Sequence, residues 1–139
     1  MTDATFEKIT RSDTPLYGPE KLIVCGFSAE LQPKFEVVLD MAGLKQVPLV
    51  WALESQQDAR LSELADLPSG AGRGASSALP RAIIVAGITE RQLQTLMAVC
   101  RQSGMKSALW ATLTPTSETW LLKDLLAELS AEREALQKQ

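Results

Sequence analysis

Three short junctions carry hydroxyl side chains where a strand-like run gives way to a helix: Gly26-Phe-Ser28, Gly87-Ile-Thr89 and Thr114-Pro-Thr-Ser117. A helix N-terminus presents unpaired N–H groups and partial positive charge. Hydroxyls beside such ends suit an anionic or polar ligand, a phosphate or a carboxylate. Ser28, Thr89, Thr114, Thr116 and Ser117 are therefore the candidate ligand-binding residues. Each also has a structural reading, because Ser and Thr are ordinary helix caps and a proline after Thr114 suits a first helical position. Glu118 complements the helix dipole there and would repel an anion.

Acid–base chemistry would fall to Glu54, Asp58 and Glu118. No two of them have a diagnostic spacing, and no nucleophile has an evident activating base. Histidine is absent from the chain. That removes Ser-His and Cys-His dyads, the usual neutral-pH proton shuttle and the commonest zinc ligand. The two cysteines, Cys25 and Cys100, lie in an apolar run and on an apolar helix stripe. They read as small core residues in a reducing compartment, not as a disulfide or metal pair. No catalytic residue, metal ligand or cofactor is assigned.

The 139 residues suit one domain with one core. At 45% hydrophobic and 22% charged, the chain has an ordinary globular composition. Net charge is −3 and the basic residues are scattered, which argues against a nucleic-acid surface. The polar start MTDATFEKITRSD does not read as a signal peptide. No apolar run reaches the roughly 20 residues that span a bilayer. A cytoplasmic protein without membrane contact is expected.

The elements that must position these residues come as one unit written twice. LIVCGFS at Leu22–Ser28 resembles IIVAGIT at Ile83–Thr89, and at that offset of 61 Ile23, Val24, Gly26, Val38, Gly43 and Lys45 meet identical residues. Each unit then reaches a Trp-Ala pair, Trp51-Ala52 and Trp110-Ala111. Gly43 and Gly104 suit the left-handed position that ends a helix. Helical stripes run through Leu31, Phe35, Val38, Leu39 and Ala42, and through Leu93, Leu96, Met97 and Cys100. Pro33 must lie in or near a first turn, so the first helix starts after Ser28. Thr89 and Gln92 have capping-box spacing, and Ser55–Asp58 reads as another helix start before Leu61, Leu64 and Ala65. A final helix from about Glu118 points Leu122, Leu125, Leu126 and Leu129 inward and turns polar beyond Ser130.

Four nearly continuous apolar runs are strands covered on both faces. The fold expected is α/β: a duplicated β-α-β-α unit forming a four-stranded, mostly parallel sheet flanked by helices. A ferredoxin-like two-layer sandwich with an added C-terminal helix is the alternative. Residues 1–20 form an N-terminal extension and 21–139 the domain. The domain divides into a first repeat 21–67, a Gly-rich linker 68–80 and a second repeat 81–139. PSGAGRGASSALP lacks the strand before and helix after that a dinucleotide loop needs, so it reads as linker, or as a lid in which Arg73 is the residue to watch.

LTPTSETW followed by LLKDLLAEL resembles the Thr-Pro-Thr-Asn motif of a bacterial and archaeal family known only as domain of unknown function 3783, in which the motif precedes a Trp and a leucine-rich helix. Thr114, Pro115 and Thr116 match the motif, and Ser117 stands where the family has Asn. The resemblance spans about the last 60 residues and implies no activity.

Two functions fit these residues. One is a non-catalytic module binding a partner protein, a second copy of itself or a small anionic ligand at the strand carboxyl edge, where Trp51 and Trp110 would line a groove, a dimer seam or simply the core. The other is a small histidine-independent enzyme for a phosphate- or carboxylate-bearing metabolite. The module is favoured, because the chemistry of turnover has no evident pair of groups.

Overall fold

A computed structural model describes residues 13–105 and 108–137. Residues 1–12 of the expected N-terminal extension lie outside the described residues. The apolar runs form strands β1 (Lys21–Cys25), β2 (Leu49–Ala52), β3 (Ala82–Ala86) and β4 (Leu109–Thr112). Helices α1 (Gln32–Met41), α2 (Leu61–Ala65), α3 (Glu90–Gln102) and α4 (Leu122–Gln137) complete the order β1-α1-β2-α2-β3-α3-β4-α4.

The sheet is open and mixed, in the order β2-β1-β3-β4. β1 pairs parallel with β2, and β3 parallel with β4. The central pair β1–β3 is antiparallel, with Cys25 opposite Ala82 and Lys21 opposite Ala86. Two of three pairings are thus parallel, as expected, but the two units meet head to tail.

Alternate strand residues feed two cores. On one face Leu22, Val24, Trp51, Ile83 and Val85 pack under α1 and α3. On the other, Ile23, Cys25, Val50, Ile84 and Ala86 pack under α2 and α4. Helices on both faces make three layers, which excludes the two-layer sandwich. The helical stripes behave as read: Phe35, Val38, Leu39 and Leu96 are buried, as are Leu61, Leu64, Leu122, Leu125 and Leu126.

Local chemistry sets the helix ends. Pro33 occupies the first turn of α1, so this helix starts well after Ser28. Gly43 and Gly104 have φ of +79° and +74°. Beside them Leu44 N–H donates to Leu39 O at 2.8 Å and Met105 N–H to Cys100 O at 3.3 Å. This six-to-one closure after a left-handed glycine ends both α1 and α3. The start read at Ser55 is instead a 3-10 turn, Glu54–Gln56, and α2 begins at Leu61 after Arg60 N–H donates to Glu63 Oε1 at 2.9 Å.

The reversal between the units is made by the Gly-rich segment. α2 carries the chain back towards the start of β1, where Lys21 Nζ meets Leu67 O. Residues 69–72 then run beside β2: Gly70 N–H donates to Leu49 O at 2.8 Å, and Trp51 N–H donates to Ala71 O at 2.8 Å. Val50 and Ala71 form a parallel bridge. The segment arrives at the carboxyl end of β1, where Ser77 N–H donates to Phe27 O at 3.2 Å. β3 must start there, and therefore runs opposite to β1. The expected plain linker is a segment hydrogen-bonded to the edge of β2.

Candidate functional site

Head-to-tail packing divides the three hydroxyl junctions. A five-residue strand spans roughly 16 Å, so the carboxyl ends of β1 and β3 lie on opposite edges. Ser28 follows β1, whereas Thr89 and Thr114–Ser117 follow β3 and β4 on the other edge. The shared edge of a fully parallel sheet does not exist.

At the β3–β4 edge the hydroxyls serve the backbone. Thr89 Oγ1 accepts from Gln92 N–H at 3.1 Å and Gln92 Oε1 accepts from Thr89 N–H at 2.8 Å, the capping box read from spacing. Pro15 bridges to Thr89, and Leu16 N–H donates to Ile88 O at 2.7 Å, so the segment before β1 lies across this junction. Thr114 and Ser117 cap each other: Ser117 N–H donates to Thr114 Oγ1 at 2.9 Å and Thr114 N–H to Ser117 Oγ at 3.0 Å. Thr114 Oγ1 also donates to Ser117 Oγ at 3.0 Å. Thr116 is exposed, and its carbonyl accepts from Thr119 Oγ1 at 3.0 Å.

This turn does not lead straight into the last helix. A 3-10 turn, Ser117–Thr119, is followed by extended Trp120, and Leu121 bridges to Arg60. α4 begins only at Leu122, where Leu122 and Lys123 donate their N–H groups to Ala59 O and Gln57 O, both at 2.9 Å. Protein carbonyls therefore take up the donors an anion would need. Trp120 is 37% exposed because this detour lifts it off the core.

The candidate acids and bases are dispersed. Asp58 pairs with Lys123 at 2.8 Å. Glu118 accepts from Tyr17 Oη at 3.0 Å, a contact that raises the phenol's pKa. Glu54 accepts from Ala78 N–H. Among the described residues these three carboxylates have different partners. Among the described residues no group of His, Cys, Asp or Glu could hold a metal ion. Burial pushes the Cys25 thiol up to about 12 and the Cys100 thiol up to about 11, which makes both poor nucleophiles near neutral pH.

No spacing pattern marked Gln32, among the described residues the only polar residue in the set of fully buried large side chains. Its Oε1 accepts from Gly74 N–H at 2.7 Å and its Nε2 donates to Ala75 O at 2.9 Å. Beside it Arg73 forms a two-pronged contact with Glu36, at 2.9 and 2.8 Å, which holds that carboxyl below its ordinary pKa. These contacts wall a cleft of about 490 Å³ between α1 and the Gly-rich segment, rimmed by Glu36, Asp40, Lys45 and Arg73. Trp51 is largely buried, edge-on to Phe27 and Phe35 with centroids 6.1 and 6.0 Å away, and also lines this cleft.

A second pocket, of about 200 Å³, opens where α3 ends over the start of β3 and β4. Ile83, Met97, Met105 and Trp110 give it apolar walls, and Arg81 and Arg101 are its charged residues. The Arg81 guanidinium carbon sits 4.7 Å from the centroid of the Phe27 ring, within cation–π range. Its Nε is buried and has no hydrogen-bond partner among the described residues. The signal was available in the sequence as Arg81 immediately before an apolar strand, but its significance depends on Phe27, from the loop after β1, and Trp110, from β4, arriving beside it.

Three layers around an open mixed sheet define an α/β fold. The family model of a domain of unknown function, DUF3783, matches residues 81–136. That stretch takes in β3, α3, β4, the Thr114–Ser117 turn and nearly all of α4, in agreement with the resemblance carried by Thr114, Pro115 and Thr116. No match was found among curated proteins or among solved structures. Among the described residues no helix is long and apolar enough to cross a membrane.

Proposed function

We propose that the protein is a non-catalytic binding module whose ligand seat is the Arg81 pocket. The observation that carries this reading is Arg81 itself: a guanidinium laid over Phe27, with a buried, unpartnered Nε, on a pocket whose walls are otherwise mostly apolar. A guanidinium on a mostly apolar wall offers charged donors to a ligand's polar head, and a hydrogen bond to a charged group contributes about 1.5–3 kcal/mol. The dispersal of Glu54, Asp58 and Glu118 favours binding over turnover.

Two further features fit. Beyond the identities at offset 61, Pro19-Glu20 corresponds to Pro80-Arg81, and these segments make like contacts: a Cβ on Gly87 would fall 2.4 Å from Glu20 N, and one on Gly26 2.7 Å from Arg81 N. This supports a duplicated origin, after which one copy acquired Arg81 and Arg101 where the other has Glu20 and Asp40. The free, shielded thiols suit a reducing cytoplasm.

The test is a thermal-shift screen against nucleotides, phosphorylated metabolites and carboxylates, with each ligand checked for chemical change. Binding at about 100 times the dissociation constant should stabilise the fold by roughly 2.7 kcal/mol and leave the ligand intact. Consumption of a ligand, lost in Glu118→Gln, Asp58→Asn or Glu54→Gln, would replace the module with an enzyme.

A further inference from the structure

We infer that the Arg81 pocket takes a small organic carboxylate with a compact apolar body, a ring or a short branched chain. This rests on the binding-module reading and specifies its ligand.

The size of the pocket sets the body. A cavity of roughly 150 Å³ holds a benzene ring, and this one measures about 200 Å³. That leaves room for one ring-sized group and a small polar head, but not for a nucleotide. Ile83, Met97, Met105 and Trp110 offer aliphatic, thioether and aromatic surface to such a body. The methionines adapt to its shape.

Charge sets the head. Both charged residues in the lining, Arg81 and Arg101, are cations. A planar guanidinium matches a carboxylate through parallel N–H donors. Arg81 lines the pocket and is already oriented by the Phe27 ring. The cleft over α1 carries Glu36 and Asp40 beside Lys45 and Arg73 on its rim, so opposite charges offset there, whereas the Arg81 pocket is purely cationic. Phosphate alone would leave the apolar walls unfilled.

Chain geometry keeps the seat in place. Leu109 N–H donates to Arg81 O at 2.9 Å, which ties the starts of β3 and β4 together. The glycine closure after α3 fixes Met105. Gly26, at φ +77°, lets the backbone of Arg81 pass close enough for its side chain to reach Phe27.

The experiment uses the full chain with ¹³C-methyl methionine, whose four methionines include Met97 and Met105 in the pocket and Met41 on exposed α1. Phenylacetate and 4-methylpentanoate are titrated against their amides and against inorganic phosphate. The carboxylates should move the Met97 and Met105 signals saturably and leave Met41 still. The amides and phosphate should bind at least tenfold more weakly, and Arg81→Gln should weaken the carboxylates roughly tenfold, the scale of one charged hydrogen bond. Where Arg81→Gln does not fold, Arg81→Lys serves, since it keeps the charge, loses the fork and should weaken binding. Equal affinity for amide or phosphate, unchanged affinity in the Arg81 variant, or still Met97 and Met105 signals each overturns the inference. Saturable binding seen only elsewhere overturns this seat and retains a binding module, whereas conversion of the probe to a new species overturns the module itself.

Discussion

Thr114 and Ser117 satisfy each other. The Ser117 N–H donates to Thr114 Oγ1 at 2.9 Å, the Thr114 N–H donates to Ser117 Oγ at 3.0 Å, and the two hydroxyl oxygens stand 3.0 Å apart. Two side chains thereby close a turn that β4 enters and a 3-10 segment leaves.

Removing either hydroxyl should therefore cost stability without touching the pocket. Thr114→Ala and Ser117→Ala should each lower unfolding free energy by about 1 kcal/mol. The double variant should cost less than the sum, because the residues share one network. Ser117→Asn should be close to neutral, as its amide oxygen can accept from the same N–H. Urea denaturation measures all four, and carboxylate binding at the Arg81 pocket should be unchanged in each.

Glycines of the segment beside β2 should differ sharply in tolerance. A Cβ on Gly72, at φ +80°, would meet Trp51 O at only 2.0 Å, whereas one on Gly74, at φ +94°, meets nothing within 4 Å. Gly74→Ala should cost about 1–2 kcal/mol, the strain of a left-handed residue. Gly72→Ala should cost clearly more, since backbone must move. Paired thermal melts decide it, and equal losses would contradict the close approach.

Gln32→Leu should loosen the same segment from the other side. It leaves Gly74 N–H and Ala75 C=O without their partner, at roughly 1–3 kcal/mol. Trypsin should then cut after Arg73 faster than in the parent chain, before global unfolding. Cutting at an unchanged rate would mean that the Arg73–Glu36 contact alone holds the segment.

Alkaline pH should weaken the fold through the thiols. Cys25 and Cys100 have pKa values raised by burial to about 12 and about 11, above their unfolded values. Groups raised in this way stabilise fully below the unfolded pKa, near 8.5, and lose that contribution as pH rises towards the folded value. Melting temperature should fall between about pH 9 and 11, less steeply in Cys100→Ala. At pH 7.5 maleimide should label neither thiol quickly unless the protein is unfolded.

Much of the architecture was legible because its causes are local. Leu31, Phe35, Val38 and Leu39 repeat at helical spacing, Gly43 and Gly104 end helices through their own φ, and Thr89 meets Gln92 three residues on. Such interactions lie within a turn or two of chain, and spacing alone exposes them. The second helix was misplaced for a related reason: Ser55 is as good a cap as any in isolation, but Glu63 reaching back to Arg60 starts α2.

The site was less legible. Thr114, Thr116 and Ser117 were correctly placed at a strand end, yet grouping them with Ser28 required knowing how β1 and β3 run. Gln32 and Arg81 carry no sequence pattern. Their partners come from residues 73–75, in one case, and from Phe27 and α3 in the other.

By itself the sequence determined the order of strands and helices, their apolar faces, the glycine-terminated helices and the lack of imidazole chemistry. Only the tertiary structure decided that the Gly-rich segment returns alongside β2, so that β3 starts where β1 ends and runs against it. That pairing sends Ser28 to one edge and Thr89 to the other. It also brings Arg81 to Phe27 and Trp110. Strand direction is set by where a connection delivers the chain, a long-range packing outcome that no window of neighbouring residues encodes.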